Sequence, residues 1–196
     1  MGNKIIKPQE EFERLVPIAI SKACFSVKLD NSDYLKKFQE MVDDMTTYGQ
    51  QYTSDGGELN ERVKNGIGAQ LALENYLGIT FTKWGGKKPD GIPDLLPAGF
   101  KIGVKSFKAP KNAPLISKTP SYPEIIMAID ENDKSVFHCL GIFGPTDLKN
   151  KEYTCDSLKQ DPKIHEYKTG FYRIDKGMPF NTLDQLIKLT KGKWII

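Results

Sequence analysis

Apolar side chains recur every three or four residues in three stretches of the chain, which is the spacing of one helical face. These stretches cover residues 9–23, 32–47 and 59–77. Pro17 lies inside the first stretch and would kink that helix or end it early. Gly78 follows the third stretch, where a glycine commonly ends a helix. The pattern therefore predicts two N-terminal helices and a third, longer helix.

Beyond the third helix the apolar positions come in short runs separated by polar or glycine-bearing turns, which is typical of β-strands. The predicted strands cover residues 79–84, 92–95, 100–107, 124–129, 135–143 and 170–174, and a closing helix covers 182–189. Several strands framed by helices indicate an α/β fold with a central mixed β-sheet flanked by helices. We expect a single domain over residues 1–196, with an N-terminal helical extension (1–58) and a core (59–196).

Charge is distributed unevenly along the chain. The net charge of +3 is too small to indicate a polyanionic partner by itself. Between residues 83 and 111, however, seven lysines stand against two acids, Asp90 and Asp94. These lysines would attract phosphates if they share a face, and otherwise they form an ordinary solvated surface. The seven are Lys83, Lys87, Lys88, Lys101, Lys105, Lys108 and Lys111.

Cysteine and histidine usage bears on compartment and on metal chemistry. Cys24, Cys139 and Cys155 form no CxxC pair and are odd in number, which argues against a disulfide framework. His138 and His165 lack the spacing of a zinc site and the sequence neighbours of a catalytic base. The N-terminus has no apolar signal-peptide core, and no apolar run reaches membrane-spanning length. We expect a cytoplasmic protein with no membrane partner.

Residues suited to phosphodiester chemistry cluster around Asp94 and Lys105. Asp94 follows Pro93 in one predicted strand, and Lys105 comes eleven residues later in the next. Strand alternation places Lys101, Gly103 and Lys105 on one face, and a hairpin would bring Asp94 close to Lys105. Hydrolysis of a phosphodiester uses a divalent ion, and Mg²⁺ prefers oxygen ligands such as carboxylates. A lysine beside the ion can orient water or stabilise negative charge.

The sequence resembles the PD-(D/E)XK nuclease superfamily at the Pro93-Asp94 pair, at Lys105 and in the glycine-containing helical segment 66–77. This superfamily includes restriction endonucleases, Holliday-junction resolvases and many phage nucleases. The resemblance covers about residues 60–190 and implies a restriction-endonuclease-like core that cleaves DNA. It implies that Asp94 and Glu74 hold Mg²⁺ or Mn²⁺, that Lys105 assists the attacking water and that Gln70 lends a hydrogen bond. Many enzymes of this fold dimerise, so a homodimer is a further expectation. The lysines expected to contact the DNA backbone are Lys87, Lys88, Lys101, Lys108 and Lys111.

Two positions depart from the family pattern. Gly103 stands two residues before Lys105, where the family has an acid, and Gln70 stands where a helix glutamate is common. Glu74 lies one helical turn beyond Gln70 and could replace the missing carboxylate, or it is a surface glutamate with no role. Asp90 is a second candidate, and the alternative for it is a plain Pro-Asp-Gly turn. Because one carboxylate fewer weakens Mg²⁺ binding, an alternative is a catalytically inactive nuclease fold that acts as a DNA-binding or protein-interaction module. A protein-interaction domain with no nucleic-acid role also stays open.

Overall fold

The computed structural model describes residues 8–30, 32–49, 56–82, 92–110, 113–155 and 168–190. The helices are α1 (Pro8–Ser21), α2 (Ser32–Gly49), α3 (Gly56–Leu77), α4 (Pro145–Leu148) and α5 (Leu183–Thr190). The strands are β1 (Phe25–Lys28), β2 (Gly103–Lys108), β3 (Leu115–Ser117), β4 (Glu124–Ile129), β5 (Val136–Phe143), β6 (Thr154–Cys155) and β7 (Lys168–Phe171). The predicted α/β class is confirmed. None of the described helices is both long enough and apolar enough to cross a membrane.

The strands form two sheets. The larger sheet is mixed and has the order β1-β5-β4-β2, in which β2 and β4 are parallel and the other two pairs are antiparallel. The smaller sheet is antiparallel, with the order β3-β7-β6. In the β2–β4 pair, Gly103 lies directly opposite Glu124. This register brings the first residues of two strands side by side.

Helices cover both faces of the larger sheet. Since successive strand residues point to opposite faces, the apolar run of β4 serves two cores. Met127 packs in one core with Leu71 of α3, whereas Ala128 packs in the other with Phe12 of α1. Helix α3 is therefore held against the sheet by its buried face, and this packing fixes the position of Gln70, which lies on the same helix.

Two of the predicted strands are wrong in their described parts. Residues 79–82 lie outside both sheets, because the backbone N–H groups of Phe81 and Thr82 donate to the carboxylate of Glu74 instead of to a neighbouring strand. Residues 92–95 contain a turn, which leads into a 3-10 helix at Leu96–Ala98. That short helix ends at Gly99, whose φ of 88° favours glycine.

The predicted hairpin between residues 92–95 and 100–107 forms no two-stranded ladder, although the two segments meet: the backbone N–H of Leu95 donates to the carbonyl oxygen of Ile102 over 2.9 Å. Pro93 and Pro97 have no backbone N–H to donate to a strand ladder, so the segment before β2 turns instead of extending. Strand β2 takes β4 as its partner, in parallel. Asp94 nevertheless reaches β2 through its side chain.

The N-terminal region is more than the predicted pair of helices. Strand β1 lies between α1 and α2 and pairs with β5, so the region contributes an edge strand to the larger sheet. Helix α1 continues through Pro17 to Ser21, and the prediction that the proline ends it early is wrong. The division of the chain at residues 58 and 59 stays a prediction.

Candidate functional site

Two donors hold the carboxylate of Asp94 in one orientation. The side-chain amide of Gln70 donates from Nε2 to Oδ1 over 2.9 Å, and the backbone N–H of Val104 donates to Oδ2 over 2.7 Å. Gln70 is buried on α3, and Val104 is the second residue of β2. The carboxylate is thus fixed between a helix and a strand edge.

A second carboxylate lies beside the first residues of β2, and the sequence analysis missed it. Glu124 begins β4 opposite Gly103, and its side chain is buried. A Cβ built on Gly103 would lie 2.7 Å from Cδ of Glu124, so this carboxylate occupies the space that a side chain at position 103 would need. The ammonium Nζ of Lys105 lies 3.8 Å from Oε1 of Glu124. Glu124 therefore supplies negative charge at the position where the resemblance leads one to expect an acid.

Tyr122 lies close to both carboxylates. Burial, together with the negative charges of Glu124 and Asp94, raises the pKa of the phenol to about 12. A Cβ on Gly103 would also lie 3.0 Å from Cε2 of the Tyr122 ring. The phenol consequently stays protonated at neutral pH and can act as a hydrogen-bond donor. We call this group of five residues the carboxylate site: Asp94, Glu124, Lys105, Gln70 and Tyr122.

Glu74, the predicted second metal ligand, is engaged in a different way. Its side chain is 3% exposed, and Oε1 accepts the backbone N–H groups of Phe81 (2.7 Å) and Thr82. Its Oε2 lies 3.1 Å from Nζ of Lys37 on α2. These donors give Glu74 a structural role, because it ties α2 and the segment after α3 to α3. Its role as a metal ligand stays a prediction that these contacts do not favour.

The predicted DNA-contacting lysines have varied surroundings. Lys101 is exposed in the residues that lead into β2, and Lys105 is partly exposed beside Glu124. The ammonium of Lys108 forms an ion pair with Glu61 of α3, and this contact holds down the pKa of Glu61. The other residues predicted to contact DNA or to replace a carboxylate lie outside the described residues. They are Lys87, Lys88, Lys111 and Asp90, and Lys83 lies outside the described residues as well.

The donor set can be compared with what a divalent cation requires. Over the residues that the structure describes, no three or more His, Cys, Asp or Glu side chains are grouped so that they could hold a metal. The carboxylates of Asp94 and Glu124 nevertheless both reach the first residues of β2, Asp94 at the backbone N–H of Val104 and Glu124 at Gly103. Since Mg²⁺ is commonly bound through one or two carboxylates and several waters, this pair fits its chemistry.

His138 has polar neighbours that the sequence did not reveal. Its Nδ1 lies 2.8 Å from Oγ of Ser26 on β1, and its Nε2 lies 3.1 Å from Oδ2 of Asp130. Asp130 follows the last residue of β4, whereas Glu124 is the first, so this chain of contacts belongs to the opposite end of that strand. The contacts satisfy a buried imidazole and join β1 to β5. The hydrogen bond with His138, followed by those from the backbone N–H groups of Asp133 and Asn132, lowers the pKa of Asp130.

No family model matches the chain, and no curated protein or solved structure matches it either. A function is therefore inferred from the chemistry of the carboxylate site.

Proposed function

We propose that the chain is a metal-dependent endodeoxyribonuclease with a restriction-endonuclease-like core, whose second carboxylate has moved from position 103 on β2 to Glu124 on β4. The observation that carries the proposal is the overlap between the Glu124 carboxylate and the position of a side chain at Gly103. The parallel register makes this exchange possible, because it sets the two residues opposite each other. Asp94, held from two sides, supplies the other carboxylate.

Each residue of the site has a task in this proposal. Asp94 and Glu124 would hold Mg²⁺ or Mn²⁺, and Gln70 keeps the Asp94 carboxylate in place. A bound divalent ion would neutralise phosphate charge and lower the pKa of a coordinated water. Lys105, 3.8 Å from Glu124, would orient the attacking water and stabilise the negative charge that develops on the phosphate.

Substrate binding would use the lysines and the phenol near the site. Lys101 is exposed in the residues that lead into β2, and its charge would attract the DNA backbone. The protonated Tyr122 hydroxyl would donate to a phosphate oxygen. Phosphate contacts of this kind position the substrate without reading its sequence.

Cleavage assays with matched variants test the proposal. Supercoiled, linear and branched DNA would be incubated with the protein in Mg²⁺, in Mn²⁺ and in EDTA. We expect cutting that requires metal and that falls at least about 100-fold in Asp94→Asn and in Glu124→Gln, because each change removes a ligand charge. Asp184→Asn, which removes an exposed carboxylate on α5, is the control and should cut normally. Cutting in EDTA, or normal cutting by Asp94→Asn, would refute the proposal.

The second candidate is a nuclease fold without catalysis that acts as a DNA-binding or protein-interaction module. It is favoured by the small donor set of two carboxylates, one of which lies within 3.8 Å of the Lys105 ammonium. This candidate predicts DNA binding that weakens steeply with salt and needs no metal. Electrophoretic mobility shifts at several salt concentrations, with and without EDTA, separate the two candidates. The absence of DNA binding at low salt would favour a protein partner.

A further inference from the structure

Cys24 and Cys139 lie next to each other where β1 begins beside β5. The backbone N–H of Cys24 donates to the carbonyl oxygen of Cys139 over 2.8 Å, and the next residue, Phe25, is paired with Cys139 in the sheet. With standard backbone bond lengths, this bond keeps the two Cα atoms no more than about 6.7 Å apart, which is within the range that a disulfide spans. The Cys139 side chain also lies near enough to the Cys24 thiol to affect its pKa. The separation of the two Cα atoms therefore allows a covalent link.

The surroundings give the two sulfur atoms different chemistry. Cys24 is half-buried, whereas Cys139 is fully buried. The hydrogen bond from Cys139, together with a backbone hydrogen bond at Phe180, lowers the pKa of the Cys24 thiol to about 6 despite its partial burial. Burial raises the pKa of Cys139. At neutral pH Cys24 is therefore the nucleophile of the pair, and Cys139 keeps its proton.

We propose that Cys24 and Cys139 form an oxidant-sensitive thiol pair that closes to a reversible intramolecular disulfide when a peroxide reaches Cys24. The Cys24 thiolate attacks one peroxide oxygen, the O–O bond breaks, and Cys24 sulfenic acid and hydroxide form. The Cys139 sulfur then attacks the Cys24 sulfur, the S–O bond breaks, and the departing hydroxide takes the Cys139 proton as water. The two thiols lose two electrons in total, and hydrogen peroxide is reduced to two molecules of water.

The disulfide would join the start of the edge strand β1 to the middle of β5. Phe25, beside Cys24, stacks on Tyr76 of α3 with ring centroids 3.6 Å apart, so the link would also secure a contact between the sheet and this helix. An edge strand is the member of a sheet most exposed to local opening, and a covalent link would restrain it. This inference does not depend on the carboxylate site or on the proposed nuclease activity.

Mass spectrometry of the wild-type protein tests the inference. The reduced protein would be treated with hydrogen peroxide, quenched with N-ethylmaleimide, unfolded and digested. We expect titratable thiols to fall from three to one, with a peptide that contains Cys24 cross-linked to one that contains Cys139, and dithiothreitol should restore all three thiols. Cys155→Ser should form the same cross-link. Oxidation confined to Cys155, a cross-link that includes Cys155, or three intact thiols would overturn the inference.

Two further measurements test the roles assigned to the two thiols, and the first of them uses the wild type alone. In the wild type, alkylation of Cys24 by iodoacetamide should follow a titration with a midpoint near pH 6, read from the labelled peptide. In Cys139→Ser, whose hydroxyl keeps a hydrogen-bond donor beside Cys24, peroxide should leave Cys24 as a sulfenic acid that a dimedone probe traps, because the second thiol is gone. Ready alkylation of Cys139 before Cys24, or a Cys24 that dimedone does not label in this variant, would contradict the assigned roles.

Discussion

Adding one methyl group at Gly103 probes whether the Glu124 carboxylate occupies the space of the missing side chain. In Gly103→Ala the new Cβ would lie 2.7 Å from Cδ of Glu124 and 3.0 Å from the ring of Tyr122. Overpacking of this kind costs about 1–3 kcal/mol of unfolding free energy. In a Glu124→Ala background the carboxylate is absent and the Tyr122 contact remains. The cost of Gly103→Ala should therefore fall, by about 1–2 kcal/mol.

Urea unfolding of the wild type, both single variants and the double variant measures this coupling. The midpoints and slopes give four unfolding free energies, and similar slopes show that the compactness of the unfolded chain has not changed. Glu124→Gln is the matched control, because glutamine keeps the shape of the side chain while removing its charge. The cost of Gly103→Ala should stay high in that background, which separates shape from electrostatics.

Additivity would refute the reasoning. If the effects of Gly103→Ala and Glu124→Ala add to within about 0.5 kcal/mol, the two positions do not compete for space. The assignment of Glu124 as the relocated carboxylate would then lose its structural basis, whatever the cleavage assays show.

Three further predictions concern Glu74, Asp133 and the contact between Gln70 of α3 and Asp94. Glu74→Ala should lower the unfolding free energy by about 2–4 kcal/mol, because two buried backbone N–H groups lose their acceptor. A urea midpoint equal to that of the wild type would contradict this expectation. Gln70→Glu should be more destabilising at pH 8 than at pH 5, because it sets a second carboxylate against Asp94, and equal urea midpoints at the two pH values would argue against the contact. The pKa of Asp133 is lowered from 3.8 to about 2, and the hydrogen bond from the Ser135 hydroxyl is the largest cause. The contribution of Asp133 to the unfolding free energy is therefore present above pH 3.8 and is lost as the pH falls through 2. Ser135→Ala should raise that pKa in an NMR titration, and an unchanged value would count against the assigned cause.

The sequence predicted those parts of the fold that local pattern determines. Strand β4 was predicted with its observed bounds, because an apolar run followed by a polar turn marks both of its ends. Strand β1 was missed because four residues between two helices give too short an alternation to recognise. Residues 79–82 were predicted as a strand on their apolar content, yet a single side chain, Glu74, takes up the backbone N–H groups of Phe81 and Thr82.

The residues of the candidate site were likewise predicted only where a local sequence pattern marks them. Asp94 and Lys105 were found because a short motif marks them along the chain. Glu124 was missed although it opens an otherwise apolar strand, because its relevance depends on the register between β2 and β4. That register is set by packing against α3 and α1, and it joins residues far apart in sequence. The sequence signal that could have identified Glu124 is an acid at the first position of an otherwise apolar strand.

The central claim is that Asp94 and Glu124 together hold a divalent cation. Isothermal titration calorimetry with Mn²⁺ tests it most directly, using the wild type, Asp94→Asn, Glu124→Gln and the control Asp184→Asn. We predict one Mn²⁺ site in the wild type and the control, with affinity reduced at least about tenfold in both site variants. Mn²⁺ affinity in Glu124→Gln equal to that of the wild type, or no Mn²⁺ binding by the wild type, would contradict the claim.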